Sequence, residues 1–142
     1  MKIKKSLTAL LCLISLICNC SCQELFQEKK YELLQDREQI QEISIVNVLS
    51  MNVKEYETIR MLSDKDKFLD DFEKIMFERY ILGDPTHISS GLAIRILYEN
   101  GDCEFINHYA QERIISGEVC FGVVYCDKNE FQVLLDKYSK ES

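Results

Sequence analysis

The chain has 142 residues, with 17 lysines and arginines against 24 aspartates and glutamates, seven cysteines and a single proline. This length holds one domain with short appendages and excludes a large multidomain enzyme. The hydrophobic fraction of 46% excludes extensive disorder. The net charge of -7 disfavours a nucleic-acid partner, because phosphate binding needs a basic surface.

Residues 1–22 have the organisation of an export signal. Three lysines stand among the first five residues, and residues 6–18 form an apolar run with no acidic residue before Glu24. A membrane-spanning helix needs about 20 apolar residues, so this shorter run predicts a signal peptide. Its removal takes away three lysines and leaves 14 basic against 24 acidic residues, a net charge of -10.

The end of this segment allows two kinds of processing. Residues 17–20 (Ile-Cys-Asn-Cys) resemble a bacterial lipobox, in which the final cysteine, here Cys20, is lipidated and becomes the new N-terminus. Cys22 is a second lipidation candidate, and Asn19 departs from the lipobox pattern for both. Ordinary cleavage after Cys22 would instead release the chain. We therefore expect a lipid-anchored envelope protein, with a periplasmic or secreted protein as the alternative.

Residues 23–42 are rich in Gln and Glu and contain neither Gly nor Pro. Phe26, Leu33 and Ile40 recur every seven residues, which is too short a series for a coiled coil. The pattern predicts a polar, partly helical tether, or alternatively a helix that packs on the domain or on a second copy.

Residues 43–142 are expected to form a single α+β domain. Crowded β-branched residues predict a strand over 42–50, and the alternation of Glu57, Ile59 and Met61 with Tyr56, Thr58 and Arg60 predicts a second strand over 55–62. Ser63 then predicts the start of a helix whose apolar stripe runs to Met76 and which ends before Gly83-Asp84-Pro85.

A hairpin is predicted around Asn100-Gly101, because this dipeptide is the strongest signal for a two-residue hairpin turn. Such a turn places Tyr98 opposite Cys103 and Ile96 opposite Phe105. Cys103 and Phe105 would then lie on the core face. Glu104 would lie on the outer face, close enough to Arg95 for a weak ion pair.

The rest of the chain predicts a loop over 110–118, a strand over 119–126 and a closing helix capped by Asp127. The expected order is β-β-α-β-β-β-α. This order indicates a small antiparallel sheet of about five strands with the helices packed on one face.

We identify no catalytic residue and no metal site. Cys103, Cys120 and Cys126 are interpreted either as unbridged thiols or as a set in which Cys103 forms a disulfide with one of the other two. Thiol catalysis would need His87 or His108 beside one of these cysteines. The acidic residues of the first helix are interpreted as a solvated face rather than a calcium site, because a cation-binding loop with its glycine is missing.

The expected function is that of a non-enzymatic binding module outside the cytoplasm, for example an inhibitor or immunity-type partner of a basic protein. No cofactor is expected, and membrane contact is expected only through an N-terminal lipid. A small enzyme that uses a Cys/His pair is one alternative, and a structural or sensor protein of the envelope is another. The sequence leaves the oligomeric state open.

Overall fold

The structure is a computed structural model that describes residues 28–79 and 87–140. The predicted export signal, the lipidation candidates Cys20 and Cys22, and the predicted helix end at 83–85 lie outside the described residues. The strands are β1 (Lys29–Lys30), β2 (Ile40–Val48), β3 (Tyr56–Met61), β4 (Met76–Arg79), β5 (Gly91–Tyr98), β6 (Cys103–Ile106), β7 (Gln111–Ile115), β8 (Glu118–Gly122) and β9 (Val124–Tyr125). The helices are α1 (Lys65–Phe72) and α2 (Lys128–Lys140).

The strands form two antiparallel sheets, as expected for an α+β protein. A six-stranded sheet has the order β3-β2-β5-β6-β7-β8, and a three-stranded sheet has the order β1-β4-β9. The prediction of about five strands in one sheet is wrong. The additional strands are short, and long-range pairing stabilises them where local periodicity gives only a weak signal.

Both helices contribute to one apolar cluster on one face of the six-stranded sheet, here called the helix face. This cluster joins Phe68, Leu69 and Phe72 of α1 and Phe131, Leu134, Leu135 and Tyr138 of α2 to Ile43, Ile45, Ile94, Ile96 and Ile106 of the sheet. Strand residues two apart share a face, so alternate positions of β2 and β5 reach these helices.

Helix α2 begins and packs as its sequence predicts. The Asp127 carboxylate accepts hydrogen bonds from the backbone N–H groups of Asn129 and Glu130 at 2.9 and 3.0 Å. This cap satisfies two donors that the first turn of a helix leaves without partners. The four apolar residues predicted for its inner face are all buried.

Helix α1 is shorter than predicted. Asp64 rather than Ser63 caps it, by accepting a hydrogen bond from the Lys67 N–H at 3.0 Å, and the helix ends at Phe72. Met76 belongs to β4, where exposed Met76 is followed by buried Phe77. This alternation is that of a strand, and pairing with β1 and β9 overrides the helical spacing.

The opposite face of the six-stranded sheet is concave and holds a second, smaller cluster. Val46, Val48, Ala93 and Phe105 are buried there. Tyr56 of β3 contacts Phe105 of β6 with ring centroids 5.4 Å apart, although two strands lie between them in the sheet. Three strand spacings of a flat sheet would be about 14 Å, so this contact reflects curling of the sheet.

The hairpin of β5 and β6 differs from the prediction by one residue of register. Leu97, not Tyr98, lies opposite Cys103, and Ile96 lies opposite Glu104. The Gly101 N–H bonds to the Tyr98 carbonyl at 2.9 Å, and Gly101 has a φ of 90°. The turn thus has three residues with a glycine in the left-handed region, rather than two.

This shift moves alternate residues of β6 to the other face, since side chains alternate along a strand. Glu104 faces the helix side and is fully buried, and Phe105 lies on the concave face. The predicted pair of Arg95 with Glu104 is therefore wrong. Arg95 binds Glu42 instead, at 2.8 Å.

Two further expectations for the C-terminal half are corrected. The predicted loop over 110–118 contains β7 and a tight turn at Ser116-Gly117, where both residues have positive φ. The predicted strand over 119–126 divides after Gly122 into β8 and β9, which belong to different sheets.

Candidate functional site

The segment before β2 is part of the folded unit. Residues 28–39, here called the strap, contain β1 and a single 3-10 turn at Arg37–Gln39, with no α-helix. Tyr31 of the strap is 8% exposed and contacts Phe72 and Phe77 with ring centroids 5.3 Å away in both cases. The interpretation of this described stretch as a partly helical tether is therefore corrected.

The strap is held to the sheet by one buried carboxylate, that of Glu104. Glu104 Oε1 accepts hydrogen bonds from the Leu34 N–H at 2.7 Å and from the Tyr98 hydroxyl. Glu104 Oε2 accepts from the Tyr31 hydroxyl at 2.7 Å, from Gln111 Nε2 at 3.1 Å and from Arg113 Nε at 2.8 Å. We call Tyr31, Tyr98, Glu104, Gln111 and Arg113 the Glu104 network.

The Glu104 network offsets the unfavourable free energy of burying the Glu104 carboxylate. A carboxylate removed from water is tolerated only when a cation and several hydrogen-bond donors replace the solvent, and Arg113 supplies that cation. Arg113 also donates to the Glu32 carbonyl at 2.6 Å, which fixes a second point of the strap. The Glu104 network is thus a structural clamp between the strap and strands β5, β6 and β7.

The ionisation of the network residues follows from this geometry. Burial, and then the charge of Glu104, raise the pKa of Tyr31 and of Tyr98 above the usual value for a phenol, so both donate as neutral hydroxyls. Burial of Arg113 opposes its charge, but the Glu104 carboxylate outweighs this and raises the pKa of Arg113. Tyr31 and Tyr98 therefore stay neutral hydrogen-bond donors, and Arg113 stays a charged donor.

Gly122 makes room for this arrangement. Gly122 lies opposite Gln111 in the ladder, and a Cβ atom at Gly122 would lie 2.7 Å from Gln111 Oε1. Gln111 is 5% exposed and also donates to the Tyr31 hydroxyl. A side chain at position 122 would displace the Gln111 amide from its partners.

The acidic residues of α1 form ion pairs with cations from other elements. Arg37 of the strap binds Asp70 at 3.0 Å and also binds Glu73. Asp71 binds Lys74 and Lys137 at 2.6 Å each and accepts from the Tyr138 hydroxyl at 2.7 Å. This face thus joins the strap to α1 and α1 to α2. Among the described residues no group of three or more His, Cys, Asp or Glu is arranged to hold a metal ion.

A shallow groove runs along the strap. Its volume is about 600 Å³, and strap residues between Tyr31 and Gln39 line it. Of these lining residues Glu32 and Asp36 are acidic, and the basic one, Arg37, is already paired with Asp70 and Glu73. The lining of the groove therefore carries two acidic side chains and one basic side chain.

The three cysteines predicted as thiols or disulfide partners are free and lie in separate surroundings. Cys103 is buried in the concave cluster, and Cys126 is buried in the helix-face cluster. Exposed Cys120 lies opposite Arg113, on the face of the sheet that also carries Glu104. The alternative in which Cys103 forms a disulfide is not the arrangement found, since these side chains face different sides of the sheet.

Burial makes two of these thiols poor nucleophiles. It raises the pKa of Cys126 to about 12 and raises the pKa of Cys103. The rings nearest to the histidines are those of Phe121 for His87, at 4.3 Å, and Tyr109 for His108, at 4.8 Å. The Cys126 N–H donates to the His108 carbonyl at 2.9 Å, so these two residues are neighbours in the backbone, but the Cys126 thiol is buried and its pKa is raised.

His87 approaches a second buried carboxylate. Glu112 is 1% exposed, accepts from the Ile88 N–H at 2.7 Å, and lies 3.7 Å from His87 Nδ1. Burial raises the pKa of Glu112. His108 is half-buried, and burial followed by the charge of Lys128 lowers its pKa.

Sequence reasoning did not select the residues of the Glu104 network. The sequence predicts Glu104 on the outer face and places Tyr31 in the tether of residues 23–42. The signal that could have found Glu104 is Gly101 itself, because a glycine at the third loop position also suits a three-residue turn. A three-residue turn places Glu104 on the helix face of the sheet, where it is buried.

Fold and site together define a small antiparallel α+β protein whose N-terminal strap is clamped onto the sheet by a buried carboxylate. Comparison of the chain with protein-family models, curated proteins and solved structures finds no match. Within the described residues, no helix is long and apolar enough to cross a membrane.

Proposed function

We propose that this chain is an exported, non-enzymatic binding module that captures a basic protein in the bacterial envelope. In this proposal residues 1–22 direct export, and a lipid on Cys20 or Cys22 anchors the chain, with release into the periplasm or medium as the alternative. The immunity-type or inhibitor role is its most concrete form. The observation that carries the proposal is the acidic groove along the strap.

The acidic net charge of the chain supports a basic protein as its partner. The chain that remains after residue 22 has 14 basic and 24 acidic residues, and the acidic side chains of Glu32 and Asp36 line the groove. Complementary potentials speed encounter and select against wrong partners. Because Glu104 fixes the strap along which the groove runs, the strap would lose little conformational entropy when a partner binds.

The chemistry of the described residues supports binding over catalysis. Both oxygens of the Glu104 carboxylate accept hydrogen bonds within the clamp. The buried thiols Cys103 and Cys126 have raised pKa values. The alternative of a thiol enzyme would rest on exposed Cys120, which lies on the face opposite Glu112 and its neighbour His87. No observation favours that alternative.

The position of the strap suits an anchored protein. Six residues lie between Cys22 and Lys29 and eight lie between Cys20 and Lys29, so the chain spans at most about 25 Å from Cys22 and about 32 Å from Cys20. A lipid on either cysteine would therefore keep the strap and its groove close to the membrane surface, where a partner could meet them.

The proposal is tested by immobilising residues 23–142 and incubating them with envelope extract at low salt. We expect capture of a basic protein that is released as salt rises and that is lost with the double variant Glu32→Lys/Asp36→Lys. Glu118→Lys/Asp136→Lys, an equal change of charge at exposed positions on β8 and α2, is the matched control and should retain capture. Equal capture by the groove variant and the control would refute the role of the groove.

Anchoring is tested separately by intact-mass analysis of the membrane fraction. A lipid mass on a chain beginning at Cys20 or Cys22 supports the anchored form. An unmodified chain beginning at Gln23 supports release, and an uncleaved chain contradicts export.

A further inference from the structure

Strand β3 is an open edge of the six-stranded sheet and carries exposed apolar side chains. Ile59 and Met61 are 49% and 61% exposed, and Leu49 and Met51 in the preceding turn are 57% and 68% exposed. An edge strand of this kind is a template for pairing with a further strand. The edge lies apart from the strap groove, so its use is independent of the proposed function.

The hydrogen bonds to β2 show which main-chain groups of β3 are available. The Glu55 carbonyl accepts from the Leu49 N–H, and the Leu62 N–H donates to the Ile43 carbonyl, each at 2.9 Å. Because main-chain groups alternate in direction along a strand, those of Tyr56 and Met61 point to the open edge. The ladder shift between Ile45 and Val46 takes up the extra residue between them.

When two copies of β3 are placed side by side and antiparallel, the charged residues of one copy lie opposite residues of the other charge in the second copy. An antiparallel edge pairs with its own copy about a two-fold axis, and here the axis falls between Thr58 and Ile59. Tyr56 then lies opposite Met61 of the second copy, so that outward main-chain groups meet outward groups. Glu57 lies opposite Arg60 of the second copy, so that opposite charges meet twice.

The faces of the side chains agree with this register. Glu57 pairs with Asn47 and Arg60 pairs with Ile45 in the ladder with β2. Since positions 45 and 47 share a face, Glu57 and Arg60 also share a face and can meet across the two-fold axis. Neither side chain forms an ion pair with another residue of the described ranges.

We propose that β3 is a homodimerisation edge, on which a second copy of this chain docks through its own β3. The two six-stranded sheets then join across the two-fold axis, with reciprocal pairs of Glu57 and Arg60 and with Ile59 and Met61 partly covered. The contact is small for a protein interface, so the dimer dissociates on dilution.

The test uses residues 23–142 in sedimentation velocity over a hundredfold range of concentration. We expect the native chain to shift from monomer to dimer, and Glu57→Arg and Arg60→Glu each to weaken dimerisation about tenfold or more, because two repulsive pairs replace two attractive ones. Glu118→Arg, on the other edge of the sheet, should leave dimerisation unchanged.

Mixing the two variants makes the test specific. Glu57→Arg carries only positive charge at the two positions, and Arg60→Glu carries only negative charge. An equimolar mixture should therefore form a heterodimer about as tight as the native dimer. Thermal unfolding of each variant confirms that it is folded. A native chain that stays monomeric, single variants that dimerise as the native chain does, or a mixture that stays monomeric would each overturn the proposal.

Discussion

Tyr31 donates its hydroxyl to Glu104 Oε2 at 2.7 Å across 73 residues of sequence. This bond joins the strap to a central strand of the larger sheet, and the Leu34 N–H reaches the other oxygen of the same carboxylate. One buried side chain therefore fastens the N-terminal segment to the larger sheet at two points. The strap also lies just after the segment that we expect to be processed, so in the proposed anchored form this clamp would join the anchored end to the fold.

Replacing Glu104 should destabilise the whole domain. Glu104→Gln keeps the shape of the side chain but leaves part-buried Arg113 without its anion and turns an amide N–H₂ toward other donors. We expect a loss of about 3–5 kcal/mol in the free energy of unfolding, measured by urea denaturation. Glu118→Gln, an exposed change of the same type, should stay within about 0.5 kcal/mol of the native chain. A loss below about 1 kcal/mol for Glu104→Gln would contradict the clamp.

Gly122→Ala should act through Gln111. The added Cβ would lie 2.7 Å from Gln111 Oε1, so the amide must shift, and this shift strains the hydrogen bonds from Gln111 Nε2 to Tyr31 and Glu104. We expect a loss of about 1–3 kcal/mol, the usual cost of leaving buried polar groups without partners. A double-mutant cycle in urea provides the check, since Gly122→Ala should cost much less in a Gln111→Ala background. An equal cost in both backgrounds would show that the effect does not pass through Gln111.

Asp71 should contribute to acid unfolding. Hydrogen bonds from Lys137, Lys74 and Tyr138 hold the pKa of Asp71 well below its usual range. A carboxyl whose pKa is lowered by folding stabilises the folded state above the unfolded-state pKa of about 3.9, and this contribution is lost as the pH falls below that value.

The expected result is that Asp71→Asn loses less stability between pH 5 and pH 2 than the native chain, although it is less stable at pH 7. Urea unfolding at a series of pH values measures this slope. Asp66→Asn is the matched control, because exposed Asp66 lies on the same helix and should leave the slope unchanged. Parallel pH curves for Asp71→Asn and the native chain would contradict the assignment.

The thiols should differ sharply in reactivity. Cys120 is exposed, whereas burial raises the pKa of Cys126 to about 12 and also raises that of Cys103. In residues 23–142 we expect one thiol to react rapidly with a disulfide reagent at pH 8, and three to react after denaturation. The rapid reaction should disappear in Cys120→Ser. Only one reactive thiol after denaturation would instead reveal a disulfide in the expressed chain.

Local sequence was sufficient where the interactions are local. The cap at Asp127 and the apolar positions of α2 lie within one helix, and both are found as predicted. Strands β2 and β3 are also found close to their predicted ranges, because β-branched residues favour strand conformation in β2 and alternation of side chains marks β3. The antiparallel α+β class follows from these elements.

Tertiary structure alone decided the register of the hairpin and the position of the strap. Two turns are compatible with Asn100-Gly101, and they differ by one residue, which reverses the face of every side chain in β6. Burial of Glu104 depends on partners such as Tyr31 and Arg113, which lie far from it in sequence or on a neighbouring strand. Periodicity reports which residues can share a face, whereas the contacts that satisfy a buried charge exist only once distant segments have come together.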